Sequence, residues 1–314
     1  MQKLPAAPAT IADFARLLRA GGLVGFPTET VYGLGADASN SEAVLAIYET
    51  KGRPSFNPLI VHCADLAMAE TVAVFSTLAH RLAALWPGPL TLVLPKRKGA
   101  PLSDLVTAGL DTVGVRIPAH PLALELIALA GRPLAAPSAN PSGRLSPTTA
   151  GQVISGFSGR VPVLDGGPCV AGLESTILKV EGDRVTQLRA GALPRVEIEA
   201  VIGEKVHLAN ADAPVQAPGM SASHYAPRTP LRLGATEPRP GEAFLAFGPT
   251  LVDGPGPVRN LSPSADLREA ARNLFGMLHE LDGMGVEKIA VAAVPTLGLG
   301  EAINDRLSRA AAPR

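Results

Sequence analysis

The amino-acid sequence predicts an α/β protein in two parts, a large N-terminal unit and a small C-terminal one. Short apolar runs with strand composition recur through the first 190 residues and alternate with helical patterns. The 30 prolines and 32 glycines are spread among these runs instead of pooled, which indicates many short elements joined by tight turns and not disorder. After residue 230, a strand–helix–strand–helix succession forms a small α/β unit of its own.

The elements follow in order. Thr10 caps a helix over IADFARLLRA whose apolar face is Ile11, Phe14, Leu17 and Leu18; Gly21 and Gly22 end it, and LVGF begins a strand. SEAVLAIYETKG reads as a helix and LIVH as a strand. An alanine-rich helical stretch runs from Asp65 to about Leu85, and WPGPLTLVLP then turns into a strand. TVGVRIP, PLAAPS, VPVLDGG and ESTILKV are further short strands, with helix PLALELIALA between the first two, and VTQLRAG closes the series. From Val196 to Pro230 the periodicity weakens, and the stretch reads as a linker. EAFLAF and KIAVAAVP then read as buried parallel strands, with a helix capped by Ser264 between them and GEAINDRLSRAAA as the last helix. The boundaries drawn are 1–205, a linker at 206–235, and 236–314.

Composition narrows the function classes. Lys plus Arg and Asp plus Glu balance at 28 each, so the whole surface does not advertise nucleic-acid binding. Two cysteines, Cys63 and Cys169, are too few for a disulfide scaffold and fit a reducing compartment. MQKLPAAPATIADF has no apolar core of a signal peptide, and no window reaches the roughly 18 apolar residues of a membrane span. The expectation is a soluble cytoplasmic protein.

Several segments carry chemistry. In TETVYGLGADA, the hydroxyls of Thr28, Thr30 and Tyr32 follow a strand, where α/β proteins bind ligands, and Gly33 and Gly35 permit tight turns and close ligand approach. The spacing is neither a Walker A sequence nor GxGxxG. In KGRPSFNPLIVH, Pro54 and Pro58 restrict a segment holding two cations, Lys51 and Arg53, suited to phosphate; Asn57 and His62 follow. A solvated charged loop and a structural histidine are the plainer alternatives. Arg116 stands at a strand end where it either faces water or reaches a carboxylate. APSANPSGRLSPTT offers Ser138, Asn140 and Ser146 for ligand hydrogen bonds, with Ser146 or Thr148 also suited to cap a helix. Glu174, Ser175 and Thr176 open a strand, and Arg189 follows another. No metal-ligand spacing and no activated covalent nucleophile is evident; Cys169 has no histidine near it in sequence. Cations with many neutral donors suit electrostatic stabilisation of phosphoryl or nucleotidyl transfer.

FPTETVYGLG, KGRPSFNPL, WPGPLTLVL, GVRIP, PSAN and ESTI, in this order, resemble the recurring blocks of the YrdC/Sua5 family of L-threonylcarbamoyladenylate synthases over roughly residues 8–195, and SASHYAPRTPL resembles the linker motif of its longer Sua5 type. The resemblance implies an open twisted mixed sheet with flanking helices, plus a small Rossmann-like C-terminal domain. It implies condensation of L-threonine, bicarbonate or CO2 and ATP, with Mg2+, to threonylcarbamoyl-AMP and pyrophosphate. The product would serve threonylcarbamoylation of adenosine 37 in tRNA. Implied partners are downstream tRNA threonylcarbamoyl-transfer proteins and, weakly, tRNA itself, with no membrane. Matching the family residue by residue, Thr30, His62, Arg116, Ala136 and Ser175 would hold threonine. Arg53, Asn57, Thr112, Ser138, Ser146, Arg189 and Tyr225 would hold ATP, and Lys51 with Arg53 would act at the phosphates. No residue set is implied for a metal. A non-catalytic RNA-binding or ribosome-assembly protein, and a carbamoyl-phosphate-type transferase sharing the core, are the competing readings.

Overall fold

The computed structural model describes residues 10–210, 216–220, 223–249 and 255–313. The leader reading therefore lies, through residue 9, outside the described residues, as do residues 221–222 of the linker motif. The first unit runs α1 (Ile11–Arg19), β1 (Val24–Phe26), β2 (Gly33–Asp37), α2 (Ser41–Lys51), β3 (Ile60–His62), α3 (Leu66–Val72), α4 (Thr77–Ala83), β4 (Leu90–Pro95), α5 (Asp104–Thr107), β5 (Thr112–Arg116), α6 (Pro121–Ala130), β6 (Leu134–Ala135), α7 (Ala150–Gly156), β7 (Thr176–Glu181), β8 (Arg184–Arg189), α8 (Arg195–Ile202) and β9 (His207–Leu208). Its nine strands form one mixed sheet in the order β1-β2-β6-β3-β5-β4-β7-β8-β9, as expected for an α/β fold with a mixed sheet. β10 (Leu231–Leu233), β11 (Glu242–Ala246), β12 (Val258–Asn260), α9 (Leu267–Asp282), β13 (Lys288–Val291) and α10 (Leu299–Ala311) make the second unit, an all-parallel sheet ordered β10-β13-β11-β12.

Local chemistry sets these elements. Thr10 accepts from the Asp13 amide while Asp13 accepts from the Thr10 amide, a complete capping box at the start of α1. The buried face of α1, Phe14, Ala15 and Leu18, packs with Leu126 and Ile127 of α6 and with β1. The strands of the large sheet bury Val61, Leu92, Val115 and Leu178 in the main core. The second core gathers Leu245, Leu274, Phe275, Ile289 and Ile303, and it extends onto Val31, Leu145, Leu173 and Tyr225, so the two units share apolar packing.

The structure corrects several sequence expectations. Residues 65–85 are two helices, because Val74 donates to the Pro95 carbonyl and Ala73 pairs with Lys96, leaving Asp65 and Ser76 to cap α3 and α4 separately. VPVLDGG forms a single bridge, Val163 to Gly25, and no strand. Gly33 and Gly35 lie inside β2 instead of in a turn; a Cβ on Gly35 would sit 2.8 Å from the Phe26 ring, which is why that position takes no side chain. The stretch read as linker from Val196 to Pro230 contains most of α8 and the edge strand β9, and β10, directly after it, belongs to the second sheet. Asp266, not Ser264, caps α9, and Thr149, not Ser146 or Thr148, caps α7. Ser264 instead donates to Glu269, inside the first turn of that helix.

Candidate active site

A cleft of about 530 Å3, counted out into the adjoining solvent, lies over the ends of the central strands, the position where α/β sheets commonly bind ligands. Its floor follows from sheet register. His62 at the end of β3 and Arg116 at the end of β5 are direct partners in a parallel pair. Ala136 and Ser138 follow β6, Ser175 precedes β7, and Arg189 ends β8 opposite Ile177. Thr30 hangs from the turn between β1 and β2, and Arg53 follows α2. All of these line the cleft, and Pro218, Gly219, His224 and Tyr225 of the connecting segment lie against it from the far side.

Hydrogen bonds separate the roles of neighbouring side chains. Thr28 donates to the Val31 carbonyl at 2.6 Å and accepts from the amides of Thr30 and Val31, so its hydroxyl shapes the turn. Thr30, 2.7 Å away, then donates to Thr28 and keeps its lone pairs for another donor. Tyr32 donates to the Gly167 carbonyl at 2.8 Å and accepts from the Gly166 amide, tying this turn to the 165–167 loop. Arg116 donates to Glu29 at 2.6 Å and to the Gly88 carbonyl, and Glu29 also accepts from the Ala119 amide. Arg53 is held by the Asn57 side chain at 2.6 Å and by the Pro58 carbonyl. Arg189 donates to the carbonyl and the hydroxyl of Ser175 and to the Pro218 carbonyl, and the Ser175 hydroxyl also meets Thr91 at 2.7 Å.

The electrostatics suit an anion. Three arginines, Arg53, Arg116 and Arg189, face the cleft against one carboxylate, Glu174, which is itself paired with Arg306 of α10 at 2.8 Å. Burial, and then the neighbouring Arg116, push His62 down to about 3, so its imidazole is neutral at physiological pH. Burial lowers Arg53 to about 10 and also lowers Arg189. The Cys169 thiol is pushed up to about 12 by burial, which keeps it protonated. His62 Nδ1, His224 Nδ1 and the Tyr225 hydroxyl are buried without a hydrogen-bond partner, and all three residues line the cleft. A buried polar atom without a partner is costly, and three around one cleft point to a ligand that satisfies them.

Four residues expected at the site stand apart from this cleft. Lys51 turns its ammonium to the carbonyls of Ser138 at 2.6 Å and Asn140 at 2.5 Å, bracing the loop that carries Ser138; burial and then Arg53 lower its pKa. Asn57 orients Arg53 and does not line the cleft. Ser146 donates to Glu174 at 2.5 Å. Thr112 lines a separate small pocket with Thr91, Gln216 and Pro218, which adjoins the cleft at Ile60 and Pro218. Sequence reasoning missed Glu29 and Arg306. Glu29 sits between the two threonines singled out. Arg306 falls three and four residues after Ile303 and Ala302, on the apolar face of its helix, and an arginine in that stripe was the available signal.

Residues 16–191 match the model of the Sua5/YciO/YrdC family, described as telomere recombination, and residues 193–312 match that of the threonylcarbamoyl-AMP synthase C-terminal domain. The chain belongs to the Sua5/YciO/YrdC family. Among relatives, it is 42% identical to the threonylcarbamoyl-AMP synthase of Bacillus subtilis, with 97% of this chain and 93% of that one covered. It is 43% identical to the threonylcarbamoyl-AMP synthase of Pyrococcus abyssi over 96% and 93% of the two chains. The crystal structure of P. abyssi Sua5 complexed with L-threonine is similar at a TM-score of 0.87 and 41% identity, covering 96% of this chain and 94% of that one. The similarity to these full-length relatives thus extends through both units and includes the connecting segment at Pro218, Gly219, His224 and Tyr225. No helix among the described residues is long and apolar enough to cross a membrane.

Proposed function

We propose that this chain is a threonylcarbamoyl-AMP synthase, a nucleotidyltransferase that condenses L-threonine, bicarbonate or CO2, and ATP and releases pyrophosphate. The observation that carries the reading is the cleft: three arginines and three partnerless buried polar atoms meet there, in a chain similar along nearly its whole length to proteins of that name. Threonine would lie on Thr30, His62, Arg116, Ala136 and Ser175. Thr30 has lone pairs to accept from the ammonium or hydroxyl, and Arg116 offers its guanidinium to the carboxylate beside Glu29. ATP would extend along Ser138, Arg53 and Arg189, beneath Tyr225.

The threonine ammonium gives up a proton to solvent, and the free amine adds to the carbon of CO2 with loss of a second proton, or to that of bicarbonate with loss of water, and gives a carbamate. A carbamate oxygen then attacks the α-phosphorus, and the bond to the bridging oxygen of the β-phosphate breaks as pyrophosphate leaves. Arg53 and Arg189 offset the charge that develops on the phosphates. The segment at Pro218, Gly219, His224 and Tyr225 excludes water from the labile carbamate. Lys51, Asn57 and Ser146 act one step removed, by holding the Ser138 loop, Arg53 and Glu174. Thr112 serves the nucleotide only through the adjoining pocket.

Mg2+ belongs to the substrate in this reading. Glu174, the carboxylate lining the cleft, is committed to Arg306, and no group of three or more His, Cys, Asp or Glu suited to a metal occurs among the described residues. The ion would therefore travel on the ATP phosphates, as Mg2+ usually does. We place the reaction in the cytoplasm, supplying threonylcarbamoyl groups to the proteins that modify adenosine 37 of tRNA.

Pyrophosphate release measured with L-threonine and with 2-aminobutyrate, which lacks the hydroxyl, tests the reading. A site built to hydrogen-bond that hydroxyl discriminates strongly against its loss, by about 10^2-fold or more. Equal rates with both amino acids would rule out a threonine site.

A further inference from the structure

The second unit meets the cleft wall with a charged side chain, beside the apolar packing of Phe275 on Tyr225. Arg306 of α10 is 1% exposed, and its guanidinium donates to two residues across the boundary between the units and to one in its own helix. Nε donates to Glu174 at 2.8 Å, Nη2 to the Ala190 carbonyl at 2.8 Å, and Nη1 to Asp305 at 2.5 Å. Its central carbon lies 4.8 Å from the centre of the Tyr225 ring. Tyr225 is thereby held between Arg306 and Phe275 of α9, whose ring centre is 5.8 Å away. Its backbone is left-handed at φ +59°, a conformation a tyrosine keeps only when its surroundings impose it. Its buried hydroxyl lacks a partner in the cleft.

Glu174 explains why an arginine stands there. Its carboxylate is buried in the wall of a cleft otherwise lined by cations, next to Ser175, on which Arg189 is anchored. Unpaired, that carboxylate would repel phosphates and draw Arg189 away from Ser175. Arg306 absorbs the charge from outside the cleft, with Ser146 on the second oxygen at 2.5 Å.

We propose that Arg306 is a positioning residue of the nucleotide subsite: it neutralises Glu174 so that Arg189 stays directed at the phosphates, and it fixes the Tyr225 ring over the cleft. The C-terminal unit thereby serves the nucleotide subsite without itself contributing a reacting group. The inference rests on the reading that the cleft takes a nucleoside triphosphate.

The test compares the full-length parent with Arg306→Met, Arg306→Lys, Glu174→Gln and the double variant Arg306→Met/Glu174→Gln. Calorimetry measures the Kd of a non-hydrolysable ATP analogue with Mg2+ and, separately, of L-threonine, and a turnover assay gives kcat and KM. Removing the charged partner of a buried carboxylate should weaken analogue binding by about tenfold or more in Arg306→Met, with threonine binding changed much less. Arg306→Lys should retain part of the affinity. In the Glu174→Gln background the same arginine change should cost no more than about threefold, because no carboxylate remains to neutralise. A purely structural role predicts equal losses for both ligands and no recovery in the double variant, and that result overturns the proposal. Should Arg306→Met fail to fold, the comparison of Glu174→Gln with the double variant, and of Arg306→Lys with the parent, decides it. A parent that binds both ligands but forms no adenylate contradicts the proposed function and leaves this inference to the binding data. A parent that binds no analogue overturns both.

Discussion

At the scale of the residue, two ion pairs stand in the walls of the cleft, Arg116 with Glu29 and Arg306 with Glu174, while Arg53 and Arg189 are held by neutral oxygens. Arg116 and Glu29 are about 4% and 7% exposed, and losing one strands the other. Arg116→Met should raise the KM for threonine about tenfold or more through loss of a charge-assisted contact. It should also destabilise the fold by about 3–5 kcal/mol, because Glu29 is left buried and unpaired. Adding Glu29→Gln should restore the melting temperature but not the threonine KM; recovery of both would show that Arg116 only keeps Glu29 neutralised. His62 supports a pH prediction. Its folded pKa of about 3 lies below the ordinary 6.5, so between these values the unfolded chain binds a proton that the folded chain refuses. This contribution to stability is complete above pH 6.5 and is lost as pH falls toward 3. His62→Gln should therefore lose less stability than the parent between pH 6.5 and 4, and parallel denaturation curves would contradict the buried neutral imidazole. Residue types were legible in the sequence at this scale, but pairings were not. Nothing in TETV distinguishes Thr28, which spends its proton on Val31, from Thr30, because that depends on the turn's backbone. Lys51 reads as a phosphate ligand in the sequence, and the carbonyls of Ser138 and Asn140 that surround its ammonium are not legible there.

At the scale of the element, strands and helices with strong local signals were readable, and elements made by tertiary pairing were not. α1, α6 and β11 follow from periodicity and capping or turn residues. The two glycines of β2 hide a strand because the reason for them, the Phe26 ring against the backbone, lies across the sheet. The break between α3 and α4 has the same origin, since Val74 pairs with Pro95 from another element. The segment 216–225 has no periodicity to read, yet the geometry at Gly219 and Tyr225 is demanding. Gly219 has φ +84°, and a Cβ there would lie 2.4 Å from the Tyr225 hydroxyl and 2.9 Å from Arg189 Cδ. Gly219→Ala should thus displace Tyr225 and Arg189 and weaken ATP-analogue binding by about tenfold, while thermal stability falls by only about 1–2 kcal/mol, the ordinary cost of a left-handed alanine. Unchanged analogue affinity would remove this segment from the nucleotide subsite.

At the scale of the whole molecule, the two units act as one body around the cleft. The loop before Glu174 lies directly on α9: Gly172 has φ +71°, and a Cβ on it would come within 2.4 Å of the Arg272 Cα and 2.5 Å of the Ala271 carbonyl oxygen. His279 of the same helix meets the Ser146 carbonyl at 3.2 Å, and Glu301 of α10 accepts from Gln187 of β8 at 2.7 Å. Gly172→Ala should push α9 off the loop, lower the melting temperature and depress turnover together, because backbone meets backbone there and neither can yield cheaply. Full turnover with a lowered melting temperature would show instead that the C-terminal unit adds stability alone. The existence of that unit was evident from its strand–helix alternation, but its ionic contact with the cleft wall, made by an arginine among the apolar positions of α10, was not. The central claim is that threonine, a one-carbon unit and ATP meet in this cleft. Incubating the full chain with ATP, Mg2+, L-threonine and isotopically labelled bicarbonate, and separating the nucleotide products, tests it most directly. A labelled adenylate and stoichiometric pyrophosphate, both strictly dependent on threonine, are expected; label-free AMP, or pyrophosphate released equally without threonine, would rule the reaction out.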